Sequence, residues 1–238
     1  MSNLSMQTDV QVEELSTGGG SFLWDTGIYD CVVDMAYFDV SKGGARSLNL
    51  TLLNNDGKKL KQTFYVTNRK GETTYMNAKG EKRYLPGFSV STNLCVTSVN
   101  EDLGSVDDAS EMKTVNVYNF DQRKEVPTEK KVATTLLGKK VKAAIFKQVV
   151  NKRVNDGTGN YVDSAETKEE NEIKDFYFAD SGLTVSEKTK GIEEAIMSLK
   201  WAERNTGKLI NRAKPVAGGT TTTTTTATAK PAGKKLFN

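Results

Sequence analysis

Residues 27–66 alternate apolar and polar side chains in three short segments. Two glycine-containing turns, at residues 42–46 and 54–57, separate these segments. A period of two places alternate side chains on opposite faces of an extended strand, and short glycine-containing turns connect hairpins. The pattern therefore predicts an antiparallel meander with one buried and one exposed face.

The two predicted faces of the meander differ in chemistry. The residues predicted to face the core are Tyr29, Cys31, Val33, Met35, Leu48, Leu50, Leu52, Leu60, Gln62, Phe64 and Val66. On the third segment the opposite face carries Lys61, Thr63 and Tyr65. Such a face suits stacking and phosphate contact better than catalysis. The plainer alternative is that Lys61 and Tyr65 only cover a solvated sheet.

The stretch after the meander predicts further elements. Residues 68–84 are rich in Lys, Arg and Tyr, with glycines at 71 and 80, and predict a long β-hairpin or finger. Residues 93–99 fit a short helix or a strand, and residues 114–118 fit a strand. The acidic pairs at residues 101–102 and 107–108 lie in a Gly- and Ser-bearing stretch typical of a surface loop.

A second basic stretch covers residues 136–153. As a strand it places Val141, Ala143 and Ile145 inward. The opposite face then carries Lys140, Lys142, Phe146 and Gln148. Residues 171–178 supply a partner strand across a turn at residues 155–160. The alternative is a lysine-rich edge strand that is protected against aggregation.

A helix is predicted near the end of the folded part, at about residues 186–206. Ser186 is suited to cap it, Ile192, Ala195, Ile196 and Leu199 recur at helical spacing, and Gly207 supplies a stop. We expect this helix to pack on the β-structure. A partner-binding or dimer-forming helix is the alternative.

Composition removes several kinds of chemistry. The chain has no histidine, so triads of Ser or Cys with His are impossible, and the GxxxxGK[ST] and GxGxxG motifs are absent. Cys31 and Cys95 lie in apolar, strand-like surroundings and are predicted to be reduced core residues. We therefore expect a protein that is not an enzyme and that uses no cofactor or metal. A metal-dependent nuclease built on Glu101, Asp102 and Asp108 is an alternative.

Length and charge predict one domain with two extensions. We expect a flexible arm over residues 1–20, a folded domain over 21–212 and a disordered, Thr-rich basic tail over 213–238. No apolar run approaches the roughly 18 residues of a membrane span, so we expect a soluble cytoplasmic protein without a membrane partner.

Beyond residue 203 there are seven basic residues and no acidic one, whereas the first 203 residues hold 26 basic and 30 acidic ones. Nucleic-acid binding must therefore depend on local basic clusters.

About five strands, a helix and long basic hairpins suit a Greek-key barrel of the oligonucleotide-binding (OB) type. Several short motifs resemble single-stranded-DNA-binding proteins of tailed bacteriophages. They are residues 27–30 (GIYD), the turn at 42–44 leading into 48–50 (LNL), residues 137–141 (LGKKV), and residues 171–173 (NEI) leading into 182–184 (GLT) and the Trp201 helix. The resemblance covers roughly residues 22–212.

The resemblance implies an OB fold that coats unwound DNA in phage replication and recombination, in the cytoplasm of the host. We therefore expect sequence-tolerant binding in which aromatic rings stack on bases while lysines and arginines follow the backbone. The candidate DNA-binding residues are Lys42, Arg46, Lys61, Tyr65, Arg69, Lys70, Tyr75, Lys82, Arg83, Tyr84, Lys140, Lys142 and Phe146. The alternative function is a non-catalytic protein-interaction or virion structural role on a β-barrel scaffold.

The tail departs from the family pattern. Many members end in an acidic tail with a terminal aromatic residue, whereas this tail is basic up to Leu236 and Phe237. A basic tail would add phosphate contacts and increase the salt dependence of binding. Leu236 and Phe237 are candidates for docking on a replication or recombination protein.

Overall fold

The computed structural model of the protein describes residues 23–119, 122–158 and 160–216. The predicted arm, and the tail from residue 217 with Leu236 and Phe237, lie outside the described residues. The strands are β1 (Gly27–Val40), β2 (Arg46–Asn54), β3 (Lys59–Tyr65), β4 (Thr74–Met76), β5 (Lys82–Tyr84), β6 (Glu111–Asn119), β7 (Lys124–Val132), β8 (Lys140–Asn155), β9 (Tyr161–Tyr177) and β10 (Leu209–Asn211). The helices are α1 (Pro86–Val99), α2 (Leu103–Asp108), α3 (Val185–Thr189) and α4 (Ile196–Asn205), with a 3-10 turn at Thr134–Leu136. The fold is mainly β.

The predicted meander is confirmed. β1 pairs antiparallel with β2, and β2 pairs antiparallel with β3. Leu48, Leu50 and Leu52 are buried in the core, as is Phe64 on β3. Their polar neighbours Lys61 and Thr63 are exposed, so the alternation in sequence sets the two faces of the sheet.

One residue of the predicted core face is wrong because β1 contains a bulge. The pairing of β1 with β2 shifts register between Val33 and Met35. An extra residue in one strand reverses the faces of the residues that follow it. Cys31 and Val33 therefore share the core with Ala36 and Phe38, while Met35 is only half-buried.

The predicted pairing of the second basic stretch with residues 171–178 is also confirmed. β8 pairs antiparallel with β9 on one side, and on its other side it pairs antiparallel with β1 and parallel with β10. Val141, Ala143 and Ile145 are fully buried, as the alternation predicts. The long hairpin formed by β8 and β9 thus extends the meander on the β1 side.

The sheet curls but does not close into a barrel. β3 and β9 lie at its two ends, and no strand pairing joins them within the described residues. The ring of Phe64 on β3 nevertheless meets that of Phe176 on β9 edge to face, with 6.5 Å between centroids. We call the open gap between these two strands the β3–β9 cleft.

Helix α1 covers the core at this cleft. Leu94 and Cys95 are fully buried in the same cluster as the strand residues, and Asn93 Nδ2 donates to Asp175 Oδ1 of β9 at 2.8 Å. The stretch at residues 93–99, for which the sequence left helix and strand open, is therefore helical. Gly87 in its first turn lies so close to β3 that an added Cβ would be 2.3 Å from the Tyr65 carbonyl oxygen.

The hairpin of β6 and β7 crosses the outward face of the meander. Lys130 Nζ lies 2.7 Å from Asp39 of β1, and Glu125 Oε1 lies 3.5 Å from Lys61 Nζ of β3. Outward-facing Thr51 of β2 is only 9 % exposed. The hairpin thus covers part of the sheet face that the sequence predicts to be exposed. The strand predicted at residues 114–118 is confirmed as part of β6.

The predicted C-terminal helix is wrong in its start, its continuity and its buried face. Thr184, rather than Ser186, caps α3 in a reciprocal capping box with Glu187, and Gly191 with a φ of 69° lies in the break before α4. α4 starts only at Ile196. On it, Ile196 and Leu199 are 41 % and 69 % exposed, whereas Trp201 packs on Phe146. In the part of the chain that the structure describes, no helix is long and apolar enough to cross a bilayer.

Candidate functional site

The predicted finger is confirmed as a separate two-stranded sheet of β4 and β5. The finger contains two turns with the same hydrogen-bonding pattern, at residues 68–72 (NRKGE) and 77–81 (NAKGE). In each turn the Asn Oδ1 accepts the N–H groups two and four residues later, and the Asn Nδ2 donates to the closing Glu at 2.8 Å. Gly71 and Gly80 take positive φ angles of 81° and 77°, which suit glycine. Lys70 and Lys79, at the third position of each turn, are exposed.

The base of the finger packs on the turn between β1 and β2. A Cβ added to Gly43 would lie 3.2 Å from Arg69 Nε, and one added to Gly44 would lie 3.3 Å from the Arg69 carbonyl oxygen. The two glycines therefore allow Arg69 to approach the turn closely. Lys42 of that turn and Arg69 of the finger consequently belong to one surface.

A cavity of about 530 Å³ opens beside this surface, at the end of the β3–β9 cleft where β3 stops. Its lining residues are Ala45, Gln62, Thr63, Phe64, Tyr65, Thr67, Asn68, Arg69, Leu85, Pro86, Gly87, Val90, Glu172, Ile173 and Lys174. Its apolar lining residues include Phe64, Val90 and Ile173, and its charged ones are Arg69, Lys174 and Glu172. We call this end of the cleft the upper cleft.

Two exposed tyrosines border the upper cleft. Tyr65, 55 % exposed, lines the cavity, and Tyr84, 60 % exposed, directly precedes its lining residue Leu85. The Tyr84 ring stacks on Phe88 of α1, with 4.9 Å between centroids and 21° between planes. Phe88 therefore supports one face of the Tyr84 ring. Tyr75 of the finger is also exposed, at 44 %.

Several candidate basic residues have no acidic side chain within ion-pair distance among the described residues. They are Lys42, Arg69, Lys70, Lys82 and Lys140, all of which are exposed. Lys42, Arg69, Lys70 and Lys82 lie on the finger or the turn beside it. Lys140 is on β8, which β1 and β2 separate from β3 in the sheet.

Four other candidates are engaged by acidic residues. Arg46 Nη2 lies 2.8 Å from both carboxylate oxygens of Asp107, and its guanidinium lies over the Phe38 ring. Arg83 pairs with Glu81 at 2.7 Å, and Lys61 pairs more loosely with Glu125. Lys142 pairs with Asp30. Arg46 has the most extensive contacts, and they connect β2 to α2 within the fold.

The structure contradicts the placement of Phe146 on an open face. Its side chain is 8 % exposed, because Trp201 of α4 packs on it at 5.1 Å between centroids. The guanidinium of Arg212 lies 5.5 Å from the centre of the same ring. No base can stack on Phe146 unless these two residues move.

The acidic pairs have structural contacts. Asp102 caps α2 by accepting the Ser105 N–H at 2.7 Å, and Asp107 binds both Arg46 and Lys131. Partial burial alone would raise the pKa of Asp107, yet the hydrogen bonds and charges of Arg46 and Lys131 hold that pKa below its usual range. Among the described residues, no three His, Cys, Asp or Glu side chains are grouped so that they could hold a metal ion.

Sequence reasoning missed two residues of the upper cleft. Lys174 is on β9 where the pairing with β8 shifts register, so alternation gives no guide to its direction. The need for glycine at position 87 cannot be predicted from the sequence, because it depends on the close approach of α1 to β3. The proline before it, suited to the first turn of a helix, was the available sign that a helix starts there.

No protein-family model matches the chain, and no curated protein matches its sequence significantly.

Proposed function

We propose that this protein binds single-stranded DNA without sequence preference, at a surface formed by the upper cleft, the finger and the turn between β1 and β2. The observation that carries the proposal is the position of exposed Tyr65 and Tyr84 beside a cavity lined by Arg69. Stacking needs exposed rings, and backbone contact needs nearby cations. Both are available on this one surface.

The arrangement of strands supports the proposal. β1 neighbours β2 and β8, while β3 and β9 face each other across an open cleft next to α1. We infer from this order a fold of the OB type, which is a partly open five-stranded Greek-key barrel. Such barrels bind oligonucleotides on the face of their second and third strands and on adjacent loops. Tyr65 and the turn between β1 and β2 lie in that region.

The proposed division of labour follows from the two kinds of side chain. Each base stacked on an aromatic ring contributes about 1–3 kcal/mol, whatever its identity, because every base has a π-face. Lys42, Arg69, Lys70 and Lys82 contact phosphates and supply salt-dependent affinity. A duplex hides its base faces, so this surface favours unpaired strands. The proposed role is therefore non-catalytic and tolerant of sequence.

A direct test is a gel-shift series with single-stranded DNA, duplex DNA and RNA of equal length in matched salt. The proposal predicts that single-stranded DNA binds more tightly than duplex of equal length. Equal or tighter binding to the duplex would overturn it. The RNA arm determines whether the 2′-hydroxyl is tolerated.

A second candidate is a protein-interaction or virion structural role, and α4 favours it. Ile196, Met197 and Leu199 are exposed on this helix, at 41 %, 56 % and 69 %. Adjacent exposed apolar residues are a common feature of protein-binding surfaces. Binding to no nucleic acid, together with self-association lost in Leu199→Asp, would favour this role.

A further inference from the structure

The outer edge of β6 is open in the part of the chain that the structure describes. β7 pairs with both β1 and β6, whereas β6 pairs only with β7 among the described residues. β6 is nine residues long and pairs with β7 along its whole length without a register shift. A long, regular edge presents a row of backbone N–H and C=O groups to another strand. The outer edge of β6 is therefore a surface on which a strand can add.

The hydrogen bonds of β7 show which of its backbone groups point toward β6. The Ala133 N–H, directly after β7, donates to the Ala36 carbonyl of β1 at 2.9 Å. Backbone groups alternate in direction along a strand, so the odd-numbered residues of β7 point to the β1 side and the even-numbered ones to β6. Pro127, which has no N–H to donate to the β6 ladder, accordingly occupies an odd-numbered position.

The same alternation identifies the groups of β6 that point to the open edge. Thr128 of β7 is paired with Val115, so the odd-numbered residues of β6 bond to β7. The N–H and C=O groups of Met112, Thr114 and Asn116 therefore point away from β7. A strand added at this edge would bond to the even-numbered residues of β6.

The features that usually block an exposed edge are missing from β6. A proline or an unpaired lysine on an edge strand discourages the addition of another strand. In β7, Pro127 interrupts the row of N–H groups on the edge that faces away from β6. β6 contains no proline, and its lysine, Lys113, lies 3.1 Å from Glu111. β6 is thus the strand of the hairpin that can accept a partner.

The sequence of β6 is complementary to itself in an antiparallel pair. About a two-fold axis at Val115, Met112 would lie opposite Tyr118 of the second copy, and Thr114 would lie opposite Asn116. Both pairs join even-numbered residues, which are the ones that point to the open edge. The register that has two-fold symmetry is therefore one in which the backbone groups can bond.

The side chains of β6 favour the same register. Met112 and Tyr118 are 64 % and 47 % exposed, whereas Val115 on the opposite face of β6 is only 9 % exposed. In the two-fold pair each Met112 side chain lies beside a Tyr118 ring, and contacts between a thioether and an aromatic ring are favourable. Lys113 lies opposite Val117, so no like charges meet. The symmetric pair therefore covers two exposed apolar residues of each copy.

We propose that this protein forms a two-fold symmetric dimer in which the β6 strands of two copies pair antiparallel, centred on Val115. The two hairpins of β6 and β7 then form one four-stranded sheet. The partner is a second copy of this chain, because β6 matches its own sequence in bonding direction, in apolar contacts and in charge. This pairing does not depend on whether the protein binds DNA.

Sedimentation velocity of the full chain over a range of concentrations tests the dimer. The average mass of the wild type should rise with concentration toward twice the 26.1 kDa of one chain. Thr114→Pro removes an N–H that points to the open edge and leaves the ladder with β7 intact. Because the symmetry removes two donors, this variant should associate at least about tenfold more weakly. Thr114→Ala keeps the N–H and should associate like the wild type.

Three results of this experiment would overturn the proposal. The first is a wild-type mass that stays at one chain at every concentration, and the second is equal association of the two Thr114 variants. Leu199→Asp, which changes the exposed face of α4, should leave the dimer intact. Loss of association in Leu199→Asp, the third result, would assign the interface to α4 instead.

Oxidative cross-linking tests the register and does not require a proline variant that folds. In the proposed pair the two Val115 Cα atoms are about 4.5 Å apart, as in other non-bonded antiparallel pairs, so Val115→Cys should form a disulfide-linked dimer. The two copies of residue 117 are about 14 Å apart along the strands, so the matched control Val117→Cys should stay unlinked. Cys31 and Cys95 are buried and should not compete. Equal cross-linking of the two variants, or none in Val115→Cys, would contradict a dimer centred on Val115.

Discussion

Gln62 of β3 reaches across the β3–β9 cleft to Ile173 of β9, where its Oε1 accepts the backbone N–H at 2.6 Å. Elsewhere in the sheet, neighbouring strands are joined by ladders of backbone hydrogen bonds. At the cleft, this side chain bridges the two strands. It also separates the upper cleft from a second cavity, which is lined by residues 23, 58–61, 170 and 171.

Replacing Gln62 by alanine should destabilise the fold. The N–H of the buried residue Ile173 would lose its partner, and an unsatisfied buried donor costs about 1–3 kcal/mol. Urea unfolding measures the change in the free energy of unfolding. Gln122→Ala, at an exposed turn position, is the matched control and should change stability by less than about 0.5 kcal/mol. Equal effects of the two substitutions would mean that the bridge adds nothing.

The close approach of α1 to β3 predicts opposite outcomes at two helical glycines. An alanine at Gly87 would place Cβ 2.3 Å from the Tyr65 carbonyl oxygen, so the helix must shift, at a cost of about 1–3 kcal/mol. At Gly104 in α2 the nearest atom to an added Cβ is 3.4 Å away. Gly104→Ala should therefore be neutral or stabilise by up to about 1 kcal/mol. Thermal unfolding of the two variants makes the comparison, and a neutral Gly87→Ala would contradict the packing.

Asp107→Asn should reduce stability at neutral pH by about 1 kcal/mol, because Arg46 and Lys131 would lose a charged partner. The carboxyl has a lowered pKa in the folded state, so its contribution is present above the unfolded value, near 3.9, and is lost as pH falls through the folded pKa. The difference between wild type and variant should therefore shrink from pH 7 to pH 3. Urea unfolding at both pH values measures it. A stability difference between wild type and variant that grows on acidification would contradict the predicted direction of the pH dependence.

Cys31 and Cys95 are free, buried thiols, as the sequence predicts. Burial, with smaller contributions from nearby acidic residues, raises the pKa of each to about 12. Because the thiolate is the reactive form, neither should react with a thiol reagent at pH 8 until the protein unfolds. Absorbance of the released reagent counts the reactive thiols in buffer and in denaturing urea. An introduced exposed thiol, Ser181→Cys, should react at once and serves as the control.

Alternation along the chain was enough to predict the meander, the pairing of β8 with β9 and most of their buried residues. It failed at Met35 because β1 has an extra residue between Val33 and Met35, and alternation along the chain does not show where such a bulge lies. It failed for the C-terminal helix because the reciprocal bonds of Thr184 and Glu187 move the start, and Gly191 lies in the break that follows.

The candidate site was predictable only in part. The glycines of the finger and its Lys, Arg and Tyr content were enough to predict it. Arg46 and Lys42 are both basic residues at the turn between β1 and β2, so the sequence around them does not distinguish them. Asp107, which is 61 residues away in sequence, nevertheless binds Arg46. The covering of Phe146 by Trp201 likewise depends on a contact distant in sequence. Contacts between residues so far apart in sequence cannot be predicted from the composition of either segment.

We propose that Tyr65 and Tyr84 stack on bases while Arg69 and Lys70 contact phosphates. The most direct test of these roles is the affinity for a labelled oligothymidylate, measured by fluorescence anisotropy over a range of salt concentrations. The variants are Tyr65→Ala with Tyr84→Ala, Arg69→Ala with Lys70→Ala, and the control Tyr161→Ala, an exposed tyrosine outside the proposed surface.

Loss of both tyrosines should weaken binding tenfold or more at an unchanged salt slope, since each stacked base contributes about 1–3 kcal/mol. The Arg69 and Lys70 pair should instead flatten the plot of log affinity against log salt by up to about 0.7 for each lost phosphate contact. Tyr161→Ala should bind like the wild type. Wild-type affinity and salt slope in both double variants would contradict these roles.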